Sequence, residues 1–349
     1  MKTNTATTVA QLAKFDEVID VRSPGEFALD HIPGAENFPV LDDAERARVG
    51  TLYKQVSPFE ARKLGAALVA RNIARHLEQS FLAKPKNWQP LVYCWRGGKR
   101  SAAMVTILRE IGWHAMQLEG GYQSYRRRVI ADLQALPAQV RFRVVCGLTG
   151  SGKSLLLQAL DRLGAQVLDL EALAAHRGSV LGNLPGAPQP TQKMFESTIW
   201  EKLRRFDPRH PVFVEAESKK IGKLHIPDAL IESMRAGSCL RLETGSAWRV
   251  VLLKREYAHF LQQPQLLKQQ LDHLTELYGR ERLAAWHALI DAGHWDEAVE
   301  QLLVTHYDPA YTKSTLHNYR RLAEAATISL AGIDDAAFVA AARQAMASC

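Results

Sequence analysis

The chain has 349 residues, of which 47% are hydrophobic and 23% charged, with a net charge of +7. This is an ordinary globular composition with room for two domains, and the excess positive charge suits an anionic partner such as nucleic acid or a phosphorylated substrate. The four cysteines, Cys94, Cys146, Cys239 and Cys349, are far apart with no CxxC pair, so neither a disulfide framework nor a zinc site is indicated. The short polar N-terminus is followed by no apolar targeting core, and no apolar run approaches a membrane span. A cytoplasmic protein with no membrane partner is expected.

Along the first segment, short apolar runs alternate with helical patterns. Strands are predicted at 17–22, 90–94 and 114–118, with helices at 59–78 and 101–111 between them. Such alternation argues for a parallel α/β sheet. Gly120-Gly121-Tyr122 starts a last, basic helix that runs to about Leu136. Leu136-Pro137-Ala138-Gln139 serves as a linker. A second α/β unit follows. Strands are predicted at 141–147, 165–170, 211–215 and 238–243, and helices at 153–163, 191–206 and 227–236. Residues 178–190 read as a Gly/Pro-rich loop. From about Ala247 the pattern is helical to the end. The expected organisation is an α/β chain: a parallel-sheet domain over 1–136, a second α/β domain over 140–246, and a helical C-terminal region over 247–349.

Cys94 ends a buried strand and opens the loop Cys94-Trp95-Arg96-Gly97-Gly98-Lys99-Arg100-Ser101, with a helix beginning near Ser101. Gly97 and Gly98 let the backbone curl. The helix N-terminus and the cations Arg96, Lys99 and Arg100 favour a thiolate, the form needed to take an atom from a donor. A structural cysteine needs none of this. Cys146 and Cys239 lack such surroundings and read as buried strand residues, and Cys349 is terminal. The loop also satisfies C-x5-R-[ST], the cysteine phosphatase signature. Yet Asp20-Val21-Arg22-Ser23-Pro24-Gly25-Glu26-Phe27, then His31-Ile32-Pro33-Gly34-Ala35, then Tyr93-Cys94, then Leu118-Glu119-Gly120-Gly121-Tyr122 resembles the rhodanese domain in order and spacing. That resemblance implies a persulfide or perselenide on Cys94, with Asp20, Arg22 and His31 bracing the loops.

Gly147-Leu148-Thr149-Gly150-Ser151-Gly152-Lys153-Ser154 matches GxxxxGK[ST] between a predicted strand and helix. Its amides would cradle phosphate, Lys153 would neutralise it, and the Ser154 hydroxyl can hold Mg²⁺. Glu215, at the end of Val212-Phe213-Val214-Glu215, is the better-placed acid, and Glu217 the alternative. The motif leaves open which phosphate is bound: ATP or GTP, a prenyl diphosphate, or a nucleic-acid backbone.

The two loops in this order, together with Glu215-Ala216-Glu217-Ser218-Lys219-Lys220-Ile221-Gly222, resemble the tRNA 2-selenouridine synthase family. The resemblance implies a rhodanese domain fused to a P-loop domain, acting on wobble 2-thiouridine in the tRNAs for Lys, Glu and Gln. It further implies S-geranylation from geranyl diphosphate, then replacement by selenium from selenophosphate, which selenophosphate synthetase would supply. Cys94 would carry selenium. Arg96 and Arg100 would act with it, and Gly97, Gly98 and Lys99 would hold the donor anion. Gly147, Gly150, Gly152, Lys153, Ser154 and Glu215 would bind diphosphate, with no tightly bound cofactor. Arg126-Arg127-Arg128, Arg204-Arg205, Lys219-Lys220, Lys223, Lys254-Arg255, Arg280, Arg282 and Arg320-Arg321 together suit phosphate contacts along tRNA, while Trp248, Trp286 and Tyr278 are expected in the core. The competing readings are a rhodanese-type tRNA sulfurtransferase, a P-loop kinase with a regulatory rhodanese-like module, and a cysteine phosphatase.

Overall fold

The structure is a computed structural model that describes residues 6–179 and 181–348. It divides into two compact units: one runs up to Asp132 and includes Glu196–Trp200, the other comprises Leu133–Phe195 and the chain from Glu201 onward.

The first unit is built on strands β1 (Ala6–Thr7), β2 (Glu17–Asp20), β3 (Glu36–Asn37), β4 (Pro90–Tyr93) and β5 (Met116–Leu118). Their order is β1-β5-β4-β2-β3, with every pairing parallel. The helices are α1 (Pro24–Leu29), α2 (Asp43–Gln55), α3 (Pro58–His76), α4 (Lys99–Ile111) and α5 (Gly121–Ala135). All four residues of β4 are buried, as expected for a strand covered on both faces of a parallel sheet. Local signals set the helix starts. Ser57 accepts from the N–H groups of Phe59 and Glu60 with Pro58 at the first helical position, and Asp42 and Glu45 form a reciprocal capping box ahead of α2. The core gathers Ile19, Val92, Phe81, Trp88, Met104 and Leu108.

The second unit has β6 (Phe142–Cys146), β7 (Gln166–Leu168), β8 (Val212–Glu215), β11 (Ser238–Glu243) and β12 (Ala326–Ser329), in the order β12-β11-β6-β8-β7 and again all parallel. A separate hairpin pairs β9 (Lys220–Ile221) with β10 (Leu224–His225). The helices of this part are α6 (Lys153–Arg162), α7 (Leu170–Ala174), α8 (Gln192–Leu203, of which Glu196–Trp200 group with the first unit), α9 (Asp228–Ala236) and α10 (Ser246–Glu256). Beyond them come α11 (Ala258–Gln262), α12 (Pro264–Leu271), α13 (Thr275–Asp291), α14 (Trp295–Leu302), α15 (Asp308–Asn318) and α16 (Asp335–Ala347). Leu156 and Leu160 of α6 share one core with Ala342 and Ala345 of α16. Phe260, Leu267, Trp286, Ile290 and Leu302 form another.

Two elements depart from expectation. The helix after Cys94 starts at Lys99, two residues early, because Gly98 takes extended backbone and serves as its N-cap. Lys99 and Arg100 therefore lie in the first turn and not in the loop. The C-terminal stretch is not helical throughout: Ala326–Ser329 pairs with Leu240–Glu243 and extends the sheet. Only Ile328 of this strand is buried, so the apolar run that would mark a strand is missing. Among the described residues, no helix is long and apolar enough to cross a membrane.

Candidate active sites

Cys94 follows β4 directly, at the carboxyl edge of the first sheet, where parallel α/β folds place their sites. Its residue is 3% exposed. The Gly98 N–H donates to Cys94 Sγ at 3.2 Å, and the Ser101 hydroxyl lies 3.1 Å from Sγ and 3.2 Å from the Gly98 carbonyl. Gln117 Nε2 donates to Ser101 Oγ at 2.8 Å and to the Gly97 carbonyl at 2.8 Å, so β5 fixes both the hydroxyl and the loop. The N–H groups of Gly97, Lys99 and Arg100 find no acceptor among the described residues, which leaves donors facing an incoming anion at the start of α4. The turn after β5 closes the loop from behind: Tyr122 N–H donates to the Cys94 carbonyl at 2.8 Å and Gln123 N–H to that of Trp95 at 3.0 Å. Gly121 has φ of +56°, and a Cβ there would sit 2.2 Å from the Cys94 carbonyl oxygen.

Asp20 and Arg22 are buried supports. Arg22 donates to both Asp20 oxygens, at 3.0 Å from Nε and 2.6 Å from Nη2, and to the Asp30 carbonyl at 2.7 Å. Its guanidinium lies 4.1 Å from the Tyr122 ring centroid. His31 stacks on Phe27. The expected donor-binding cations divide. Arg96 and Lys99 are exposed. Arg100 instead binds Glu26 at 3.0 Å, a carboxylate also held by Arg46 at 3.0 Å. Burial would raise the Glu26 pKa, but the Arg100 hydrogen bond and charge hold it below the ordinary carboxylate range. Cys94, Cys146 and Cys239 are free and buried; Cys349 lies outside the described residues.

The phosphate loop links β6 to α6. Gly150 has φ of +76°, and a Cβ there would come within 2.7 Å of Leu253 on α10, so the loop and the C-terminal helices can meet only through glycine. Arg249 on α10 adds a tie. Its Nε donates to the Thr149 carbonyl at 2.9 Å, and its two terminal nitrogens grip Asp308 at 3.0 and 2.5 Å. Lys153 Nζ donates to the Gly147 carbonyl at 3.0 Å and lies 5.4 Å from the Tyr311 ring centroid. Burial alone would lower its pKa, but Tyr311, Glu215, Glu171 and Glu217 raise it, so it stays cationic. Tyr311 Oη accepts from the Gly147 N–H at 2.8 Å.

Glu215 ends β8 beside β6, 3% exposed, with a buried Oε1 that has no hydrogen-bond partner among the described residues. Carboxylate oxygens of Glu171, Glu215 and Glu217 all lie within 4.8 Å of one another, and Ser154 Oγ is 3.4 Å from Glu171. Burial and then mutual repulsion push Glu171 up to about 10 and Glu217 to about 8. Burial likewise raises Glu215, against the pull of Lys153. Three crowded carboxylates with a hydroxyl form a hard-oxygen donor set suited to a divalent cation. Glu215 and Glu217, which the sequence offered as alternatives, therefore occupy one cluster. Glu171 was missed. It follows β7 by three residues, and an acid just past an apolar strand was the available sign. Ser101 and Gln117 were missed as cysteine partners, although a glutamine inside the apolar run Met116-Gln117-Leu118 is unusual enough to mark. Nothing in the local sequence distinguished Tyr311.

A family model described as the tRNA 2-selenouridine synthase AAA domain matches residues 140–329, and a rhodanese-like domain model matches residues 5–128. A tRNA 2-selenouridine synthase of Nitrosomonas europaea is 36% identical over 244 residues, 69% of this chain and 63% of that protein. Proteins of the same description from Alcanivorax borkumensis and Marinobacter nauticus are 33% and 32% identical over 326 residues. They match 84% of this chain and 88% and 87% of their own lengths. With a rhodanese-type cysteine loop, a phosphate loop in the matched domain, and this similarity across nearly the full length of two relatives, the chain belongs to the tRNA 2-selenouridine synthase family.

Proposed function

We propose that the chain converts wobble 2-thiouridine in the tRNAs for Lys, Glu and Gln to 2-selenouridine in two steps, geranylation at the phosphate loop and selenation at Cys94. The observation that carries this reading is the chemistry of the two loops on one family member. One holds a thiol between an amide, a hydroxyl and a helix N-terminus. The other holds the buried Lys153 ammonium at the N-terminus of α6, suited to a diphosphate. In the first step the thiouridine sulfur attacks carbon 1 of geranyl diphosphate, the C–O bond breaks, and diphosphate leaves on the cradle of Gly147, Gly150, Gly152, Lys153 and Ser154. Alkylation turns a poor leaving group into a thiol. In the second step Cys94 carries selenium as a perselenide, loaded from selenophosphate with a disulfide as two-electron oxidant and phosphate released by water. That selenium adds at carbon 2, the C2–S bond breaks and geranyl thiol departs. Two thiols then reduce the remaining Se–S bond, freeing 2-selenouridine and the Cys94 thiol and regenerating the disulfide. Selenophosphate is a tetrahedral anion, and the open amides of Gly97, Lys99 and Arg100 with the side chains of Arg96 and Lys99 suit it. Arg100 contributes field from its place beside Glu26. The Gly98 N–H and Ser101 hydroxyl stabilise the thiolate.

Glu171, Glu215, Glu217 and Ser154 would hold Mg²⁺. A bound Mg²⁺ supplies charge neutralisation to the diphosphate oxygens. The described cysteines are free thiols, as a reducing cytoplasm would keep them.

The test is incubation with 2-thiouridine tRNA and geranyl diphosphate, with and without selenophosphate, followed by mass spectrometry of the nucleosides. Cys94→Ala should accumulate the S-geranyl nucleoside and form no 2-selenouridine. Lys153→Ala should stop geranylation yet still convert tRNA that is already geranylated. Selenation by Cys94→Ala, or unchanged geranylation by Lys153→Ala, would refute the corresponding assignment.

A further inference from the structure

Two of the cavities lined by residues of the phosphate loop lie on its Thr149 side. The larger, about 570 Å³, is lined by Lys153, Ser154 and the three clustered glutamates. The second lies against it, and the two share Thr149, Ser179, Leu253, Tyr257 and Tyr307. Past that boundary the second cavity is walled by the C-terminal helices: Phe260 and Leu261 on α11, Leu267 on α12, and Trp295, Val299 and Leu302 on α14. Among the described residues, Lys254 is the one charged side chain in its lining, and its ammonium pairs with Asp296. The polar groups of the slot sit at the shared boundary, where the Tyr257 and Ser179 hydroxyls are 3.3 Å apart and bonded to each other.

A phosphate cradle bordered by an apolar slot that shares its wall suits a molecule with an anionic head and a hydrocarbon tail. A nucleotide is a poor occupant, because its base carries donors and acceptors that this wall leaves unpaired, at a cost of roughly 1–3 kcal/mol each. We propose that the slot formed by α10, α11, α12 and α14 holds the isoprenoid tail of the alkyl donor, and that these helices set its chain length. The proposal rests on the reading of the phosphate loop as a diphosphate site. Phe260, Leu267 and Leu302 are 5%, 7% and 5% exposed and form its fixed floor. Leu261 and Val299 are half-buried, so larger side chains there fill the slot without displacing the core. Tyr257 and Tyr307 stand where head and tail join, next to the carbon that is attacked.

The experiment measures the binding of geranyl diphosphate, dimethylallyl diphosphate and inorganic pyrophosphate to the full-length protein. In the unaltered chain, geranyl diphosphate should bind at least about tenfold more tightly than the two short-tailed or tailless ligands, since each buried methylene adds to affinity. Val299→Trp and Leu261→Trp should remove most of that advantage and leave pyrophosphate affinity unchanged, which also reports that the fold is intact. Equal affinity for the three ligands in the unaltered chain would overturn the proposal. So would a geranyl advantage that survives both tryptophan substitutions. In either case, loss of pyrophosphate binding in Lys153→Ala would leave the diphosphate reading of the loop standing. Pyrophosphate binding that survives Lys153→Ala would instead overturn that reading, and the tail slot with it.

Discussion

The Cys94 sulfur is solvated by its own protein. One backbone N–H and one hydroxyl point at it, and the hydroxyl is in turn held by Gln117. Hydrogen bonds to a charged group contribute about 1.5–3 kcal/mol. Ser101→Ala is therefore expected to slow selenation of geranylated tRNA by roughly 10- to 100-fold while leaving geranylation at its normal rate. A single-turnover assay with each tRNA separates the two. Gln117→Leu should show a milder defect of the same kind. A second residue-scale effect concerns His76, whose ring nitrogen lies 2.9 Å from the Pro39 carbonyl. Burial lowers its pKa from 6.5; the Pro39 hydrogen bond opposes this and Arg75 adds to it, with the net shift downward. The folded state thus resists protonation that the unfolded chain accepts. His76 contributes stability that is present above pH 6.5 and lost as pH falls below it toward the folded pKa. The melting temperature of the protein should fall between pH 7 and pH 5, and His76→Gln should flatten that slope. Cys94, Lys153 and Glu215 were legible from sequence because each sits inside a contiguous motif whose chemistry is local. The helpers were not. Gln117 reaches Cys94 from another strand and Tyr311 reaches the phosphate loop from a distant helix, so only the fold brings them together.

At the scale of elements, the buried strands β2, β4, β6, β8 and β11 and the helices α3, α4 and α6 were readable because parallel sheets need buried strands and crossover helices, whereas the short strands β1 and β3, the exposed strand β12 and the helices α1 and α2 carry no such signal. The boundaries erred where glycine decided them, as at Gly98. The turn from β5 to α5 is as much a part of the cysteine site as the loop it backs. Gly121→Ala would place a methyl group against the Cys94 carbonyl in a left-handed backbone. That change should cost at least about 2 kcal/mol and lower the melting temperature, whereas Gly98→Ala, with open space at its Cβ, should melt near the parent. The carboxylate cluster formed by β8 and α7 stores repulsion that a divalent cation would relieve. Millimolar Mg²⁺ is expected to raise the melting temperature of the second unit by roughly 5–10 °C, and Glu217→Gln should remove most of that gain. No shift with Mg²⁺ in the unaltered chain would refute the cation site.

For the molecule as a whole, the surplus of positive charge is distributed unevenly between paired and unpaired cations. Arg128 binds Asp132 at 2.7 Å, Arg204 binds Glu201 at 3.0 Å and Lys219 binds Asp228 at 2.8 Å, so these members of the basic clusters are already engaged. Arg127, Lys220, Lys223 and Arg255 carry no ion pair among the described residues. If they meet tRNA phosphates, affinity should fall steeply with salt, by roughly a thousandfold between 50 and 200 mM for about six contacts. Charge reversal at Lys220 and Lys223 should reduce the slope, and alteration of Lys219 should change it less. A shallow slope in the unaltered chain would place recognition elsewhere.

The strand Ala326–Ser329 has a consequence for how the protein is made. It joins the sheet that carries the phosphate loop, and α16 after it covers α6, whose first two residues are Lys153 and Ser154. During vectorial synthesis, about 170 residues must follow that loop out of the ribosome before its flank is closed. Such distant pairing is slow to form. The nascent chain can finish its cysteine site early, but it should gain diphosphate affinity only after the strand Ala326–Ser329 and α16 have emerged. Ribosome-stalled chains ending at Glu324 should therefore release pyrophosphate readily, and chains extended past Ala347 should retain it.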